Sequence, residues 1–305
     1  MDIEEMDDLK LEYIAKRIES MDIRGAAKIG RAAAIAIKNF VKDYKGNSLE
    51  DFKVSIYQAG DRLRATRPSA VSLHNSLRFI LKEPEGNLEE YKNLIIERAD
   101  SFIQKSLKAG ENIARYGGKR IKESDVVMTH CNSSMAIGAI LYAWDEGKKI
   151  RAIATESRPK KQGYITVKEL ANHDIPVELI VDSAVRYKMQ EVDKVYVGAD
   201  TIASNGAVIN KIGTSQVALC AHESRVPVTV CAETYKFSRD TAFGELVEIE
   251  ERDPSEIADP KDFPGVKISN PVFDATPATY IDSIITEEGI ISPSGAYRVI
   301  KEMEE

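Results

Sequence analysis

The chain has no long hydrophobic run: nothing in it approaches the ~20 consecutive apolar residues of a membrane-spanning helix, and no membrane partner is expected. It also lacks the basic start and apolar middle of a signal peptide. Its first ten residues, MDIEEMDDLK, are acidic, so a cytoplasmic location is expected. Positive charge is not in excess. The 42 Lys and Arg stand against 49 Asp and Glu, for a formal net charge of −7, which gives no footprint for nucleic acid. A locally basic pocket remains compatible with that balance. Cysteine is scarce. Cys131, Cys220 and Cys231 lack metal-ligand spacing, and an odd number argues against a complete disulfide set. No metal is expected. Cys220, in VALCA, and Cys231, in VTVCAE, read as small buried apolar residues. Internal repeats and low-complexity linkers are absent. So are the P-loop pattern and the Gly-x-Gly-x-x-Gly fingerprint, so neither ATP nor NAD is inferred and no cofactor is expected.

What is present is globular. Hydrophobic residues make up 43% and charged residues 30% of 305, enough material for a core in one large domain or two ordinary ones. Residues 1–118 read as helices. Arg24–Val41 is Ala-rich with apolar residues at helical spacing, a second helix follows Arg67-Pro68, and a third covers Leu88–Tyr116 and stops at Gly117-Gly118. From residue 121 the texture changes to α/β. Short β-branched runs at 126–131, 150–157, 177–185, 194–200 and 228–234 alternate with helix-length segments. That pattern predicts a parallel sheet covered on both faces, with ligands at the carboxyl ends of its strands. The acidic, Pro-containing block 244–265 reads as a solvated excursion.

On that reading the strand ends converge on one rim. The first supplies His130-Cys131-Asn132-Ser133-Ser134, and the second Glu156-Ser157-Arg158-Pro159 and then Gln162-Gly163. The fourth supplies Asp200, and the fifth Glu233 through Lys236. Ser133 and Ser134 can cap the helix that follows. Cys131 just before that N-terminus is either a structural thiol or a base or nucleophile. In the second case the helix dipole and nearby cations should lower its pKa from the free value of about 8.5. His130 and Cys131 are neighbours on a strand and point to opposite faces, so they do not form a nucleophilic pair, and His130 reads as a core or capping residue. Asp200 closing an apolar strand is either a carboxylic acid kept neutral by burial or an Asx cap of the next turn. Asn210-Lys211 before a helix, with Gly213, make a reasonable phosphate cradle. Arg24, Arg64 and Arg67 are either surface arginines or anion contacts.

Seven segments then fall into place together: RGAAKIG (24–30), RPSAV (67–71), HCNSS (130–134), ESRPKKQG (156–163), GADTIASNGAVINKIGT (198–214), AETYKF (232–237) and NPVFDATPATYIDSIITEEG (270–289). In order and along most of the chain, they resemble the superfamily of methylthioribose-1-phosphate isomerases, ribose-1,5-bisphosphate isomerases and the regulatory alpha, beta and delta subunits of the translation-initiation guanine-exchange factor. The resemblance implies a helical N-terminal domain (1–118) followed by a Rossmann-like catalytic domain (119–305). It implies Cys131 and Asp200 as the catalytic pair of the isomerase branches, a pair the regulatory subunits do not keep together. It implies substrate contacts at Arg24, Gly25, Ala26, Ala27, Arg67, Ser133, Ser134, Gln162, Asn210 and Lys211, with Lys236 on a phosphate. The RGA motif continues Ala27-Lys28-Ile29-Gly30 where the methylthioribose branch usually has Pro-Ala-Ile-Gly. Arg64, Arg67 and Lys236 add cations suited to a second phosphate. The pattern therefore looks most like the archaeal ribose-1,5-bisphosphate isomerase branch. That branch implies an intramolecular oxidoreductase of sugar bisphosphates in nucleotide (AMP) breakdown, dimers or hexamers, and AMP as a regulator. A methylthioribose-1-phosphate isomerase and a non-catalytic regulatory subunit are the alternatives.

Overall fold

The computed structural model describes residues 9–303 apart from residues 24, 69, 84, 245 and 248, and only the backbone of Phe243. The chain divides into two compact units, Met1–Lys108 and Ala109–Glu305. The architecture is mixed α/β, with a helical N-terminal region and a mostly parallel sheet after it.

The first unit contains helices α1 (Leu11–Glu19), α2 (Ala26–Asp43), α3 (Leu49–Arg64) and α4 (Val71–Ile80), and most of α5 (Leu88–Arg120). α2 is its centre and packs against α1, α3 and α4. Ala32 to Ile37 are all buried, because an Ala-rich helix lets neighbours approach on every side. The sequence pattern had not delimited α1 or α3. α3 nonetheless carries a start signal: the Ser48 hydroxyl accepts the Asp51 amide at 3.2 Å. α5 begins with a capping box. Asn87 Oδ1 accepts the amides of Glu89 and Glu90, while Glu90 Oε2 accepts the Asn87 amide at 2.9 Å.

α5 does not stop at Gly117-Gly118, as the sequence suggested, but runs through both to Arg120. The glycines serve close packing instead. A Cβ on Gly117 would lie 2.6 Å from Ala139 Cβ, and one on Gly118 would lie 2.6 Å from Tyr142 Cδ1 and 2.8 Å from the Ala139 carbonyl. The helix end is held by Lys148, whose ammonium donates to the carbonyls of Gly118 and Ile121, both at 2.7 Å.

The second unit continues β1 (Val126–Thr129), α6 (Ser134–Asp145), β2 (Arg151–Thr155), α7 (Gly163–Asn172), β3 (Val177–Ile180), α8 (Val185–Lys188), β4 (Lys194–Val197), β5 (Thr201–Ile202), β6 (Val208–Lys211), α9 (Thr214–Glu223), β7 (Val228–Cys231), β8 (Phe273–Thr276), β9 (Ser283–Thr286), β10 (Gly289–Ile291) and α10 (Ala296–Glu302). The main sheet has the order β10-β9-β7-β4-β1-β2-β3, parallel except for β10. β1, β7 and β9 are buried at every position, as strands covered on both faces must be. Numbered by chain order, its parallel strands run 3-2-1-4-5-6. This is the doubly wound Rossmann arrangement, whose ligand crevice lies where the order reverses, between β1 and β4. A small antiparallel sheet, β5-β6-β8, follows β4 directly; the sequence pattern had read its residues 201–211 only as a turn and a helix approach. The acidic block 244–265 carries short 3-10 turns, Pro254–Glu256 and Pro260–Asp262, with no buried residue in either.

Candidate functional site

The site is built on the two strands flanking the switch point. Met128 of β1 pairs with Val195 of β4. Continued three residues, that register sets Cys131 level with Gly198. The two loops touch: a Cβ on Gly198 would come within 2.3 Å of the Ser133 hydroxyl oxygen. Glycine at the head of the GAD motif is therefore required by the approach of the loop after β1. Ser133 caps α6, its hydroxyl accepting the Ala136 amide at 3.4 Å, and Ser134 is the exposed first residue of that helix.

Cys131 has φ +68°, a left-handed conformation that costs a non-glycine residue about 1–3 kcal/mol and persists only where surroundings impose it. Its surroundings do so from both sides. Its amide donates to Ser157 Oγ at 2.7 Å, and its carbonyl accepts the Thr166 hydroxyl at 2.7 Å. Part of the residue stays accessible, yet protein groups crowd it as in an interior. Burial pushes the thiol up to about 11, against the pull of the Lys211 ammonium and the Asn132 amide and with a further push from the Asp200 carboxylate. This corrects the expectation of a lowered pKa. A helix N-terminus and one cation do not offset the loss of water around the sulfur, so at neutral pH the free protein carries a thiol.

Asp200 is half-buried just beyond β4, and its amide donates to the Ile209 carbonyl at 3.0 Å, which starts the small sheet. That sheet brings β6 back to the rim. Asn210, at its end, is buried and donates through Nδ2 to Thr214 Oγ1 at 3.0 Å. Lys211 follows, its ammonium 5.0 Å from the Phe273 ring centroid and close enough to lower the Cys131 thiol. β8 lies alongside, with Asn210 opposite Asp274. Asp274 sits in the segment 270–289 but had not been singled out. Its carboxylate accepts the amides of Gly213 at 2.8 Å and Ser215 at 3.1 Å. The N-terminus of α9, read from sequence as part of a phosphate cradle, is thus filled by a side-chain anion, as its dipole favours. Burial pushes Asp274 up to about 6 despite those amides.

Gln162 immediately precedes α7 at the rim end of β2, makes no side-chain capping bond and is half-buried. Gly163 beside it is a close-approach glycine, since a Cβ there would lie 1.7 Å from the Thr155 carbonyl oxygen. Lys236, beyond β7, is buried, and its ammonium is 2.9 Å from Glu233 Oε2. Burial opposes the charge on Glu233, but Lys236 and the Tyr235 hydroxyl outweigh it and hold the carboxyl below its ordinary range. Lys236 reaches the rim with a carboxylate already bound to it.

In the first unit, Gly25 (φ +85°), Ala26 and Ala27 open α2, and Arg24 lies outside the described residues. Arg67 is half-buried, with its guanidinium 2.6 Å from Met21 Sδ. The RGAA and RPSAV segments are neighbours, because the Ser72 hydroxyl donates to the Ala26 carbonyl at 3.2 Å. Among the described residues no group of three or more His, Cys, Asp and Glu could hold a metal, and no helix is long and apolar enough to cross a membrane.

A Rossmann-type sheet with a thiol, a carboxylate and an ammonium at its switch point, preceded by a helical region, defines a doubly wound α/β protein with a polar rim. More particularly, the chain belongs to the Initiation factor 2 subunit family, whose model matches residues 22–293. It is similar to the ribose 1,5-bisphosphate isomerase of Methanocaldococcus jannaschii, 53% identical over 298 residues, 97% of this chain and 96% of the relative. It is also similar to the ribose 1,5-bisphosphate isomerase of Archaeoglobus fulgidus, 52% identical over 94% of this chain and 91% of the relative. Among solved structures it resembles the translation initiation factor eIF-2B of Pyrococcus horikoshii, 31% identical with a TM-score of 0.80, covering 93% of this chain and 97% of that one.

Proposed function

We propose that the protein is an aldose–ketose isomerase converting ribose 1,5-bisphosphate to ribulose 1,5-bisphosphate, with Cys131 and Asp200 as its proton-transfer pair. The observation that carries this reading is their placement after neighbouring strands at the switch point, with Lys211 acting on the same thiol. Near full-length similarity to relatives named for that reaction supports the choice of substrate.

The chemistry follows from the substrate. Its anomeric oxygen carries phosphate, so opening to a free aldehyde is blocked. Cys131, once deprotonated, takes the proton from C2. The C1–ring-oxygen bond breaks as the C1–C2 double bond forms, and Asp200 protonates the departing oxygen. The resulting enol phosphate loses its C2 hydroxyl proton to Asp200, and Cys131 returns a proton to C1. A 2-ketone results, with both phosphates retained. Asn210 and Lys211 hold the sugar and a phosphate against the pair, and Ser133, Ser134 and Gln162 line the same rim. Gly25, Ala26, Ala27, Arg67 and Lys236 are carried by the family resemblance, as are Arg24, nucleotide breakdown as the setting and AMP as a regulator.

Cys131→Ser and Asp200→Asn should each lower kcat by about 10²–10⁴-fold, the usual contribution of a general acid or base, while KM stays within a few fold. Near-normal turnover in either variant removes that residue from the mechanism. A non-catalytic regulatory role is the second reading, favoured by the likeness to eIF-2B. The presence of both Cys131 and Asp200 opposes it.

A further inference from the structure

Behind Cys131 lies a set of buried polar groups that the proton transfers do not use. His130, Thr155 and Ser157 are all buried. His130 Nε2 is 2.8 Å from the Ile212 carbonyl oxygen, and Nδ1 is 2.6 Å from Thr155 Oγ1. Thr155 Oγ1 is 3.2 Å from Ser157 Oγ, which accepts the Cys131 amide at 2.7 Å and lies 3.4 Å from His130 Nδ1.

Chemistry fixes the direction of every link. A carbonyl only accepts, so Nε2 carries a proton and donates to Ile212. Burial lowers the pKa of His130, and the ring is neutral. Its Nδ1 is therefore an acceptor, and the Thr155 hydroxyl must donate to it. The Thr155 oxygen then accepts the Ser157 hydroxyl, whose oxygen accepts the Cys131 N–H. Each donor is used once and each acceptor is filled, which is what buried polar groups demand.

The two ends of this chain lie in functional places. One end is the amide of Cys131 in its left-handed conformation. The other is Ile212, between Lys211 and Gly213. Gly213 itself sits against the ring, since a Cβ there would lie 2.9 Å from His130 Cε1. Ser157, also left-handed at φ +59°, is braced in turn, its amide donating to Asp182 Oδ1 at 2.8 Å.

We propose that His130, Thr155 and Ser157 form a directed hydrogen-bond chain that positions Cys131 for proton transfer and registers it against the end of β6, where Lys211 stands. The three are positioning residues, and their role deepens the reading of Cys131 as the proton-transfer group. Thr155→Val removes the middle hydroxyl with little change of shape, and Thr155→Ser keeps it. The expected result for Thr155→Val is a kcat about a hundredfold lower, the scale of an ångström-sized misplacement, at unchanged KM, with recovery in Thr155→Ser. Site-resolved alkylation of Cys131 by iodoacetamide should speed up several-fold as the loop loosens. Ring nitrogen-15 spectra of the wild type should show His130 protonated on Nε2 at neutral pH, with its Nδ1 resonance moved in Thr155→Val. Should that variant fail to fold, Ser157→Ala removes the next hydroxyl and is expected to behave alike. A kcat within about twofold of wild type together with unchanged alkylation, or a proton on Nδ1 instead of Nε2, overturns the proposal. If Cys131→Ser itself turns over normally, the catalytic assignment is at fault, and the ring spectra and alkylation rates still decide the chain.

Discussion

Cys131 is where sequence and structure part most sharply. From the sequence, a thiol before a helix N-terminus among cations should be acidic. Packed against the Ser157 and Thr166 hydroxyls, it is pushed up to about 11. Burial depends on what the rest of the chain stacks around a residue, and no local spacing reports it. The consequence is a pH profile. Alkylation needs the thiolate. With the thiol pKa near 11, alkylation of Cys131 by iodoacetamide should speed up about tenfold per pH unit through neutral and mildly alkaline pH, up to the limit of the protein's stability. A rate already flat below pH 8 would mean a strongly acidified thiol. Asp274 went unread for a similar reason. FDAT looks like an ordinary strand sequence, and only its pairing with β6 sets that carboxylate beneath the start of α9.

At the level of elements, β-branched runs bounded by polar residues located β1, β2, β3, β4 and β7 within a residue or two of their starts, though each strand is shorter than its apolar run. The parallel pairing was legible because β1, β2, β4 and β7 are almost continuously apolar; β3, with Glu178 inside it, is the half-exposed edge strand. The sheet β5-β6-β8 was not, because β5 has two residues and β8 comes from a distant part of the chain. Gly117-Gly118 misled because a glycine pair commonly ends a helix. Here it lets α5 approach α6 within a Cβ's width, a fact of packing. The difference is measurable. Gly118→Ala gains about 1 kcal/mol of helix propensity but must displace the Ala139 carbonyl and the Tyr142 side chain, an overpacking cost of about 1–3 kcal/mol or more. It should lower the thermal midpoint by several degrees. Gly110→Ala, whose Cβ meets only the Met135 side chain at ordinary distances, Cε at 3.5 Å and Sδ at 3.9 Å, should leave it unchanged or raise it. Equal midpoints for the two variants would show that the α5–α6 contact is loose at Gly118.

Across the whole molecule, the strand order carries the argument. Six parallel strands in the order 3-2-1-4-5-6 define one crevice, and the sequence had already put Cys131 and Asp200 on its two lips by assigning them to the ends of the first and fourth runs. Assigning the strand ends needed only periodicity; assigning roles to those ends needed the seven family segments. The small sheet after β4 adds what the open rim lacks by returning Asn210 and Lys211 to Asp200. The most direct test is to follow the protein with ribose 1,5-bisphosphate by NMR, with methylthioribose 1-phosphate offered in parallel. The account predicts loss of the anomeric proton signal and growth of the 2-ketone ribulose 1,5-bisphosphate, at least about a hundredfold slower with Cys131→Ser, and little turnover of the methylthio sugar. An unchanged bisphosphate, or faster conversion of methylthioribose 1-phosphate, would contradict it.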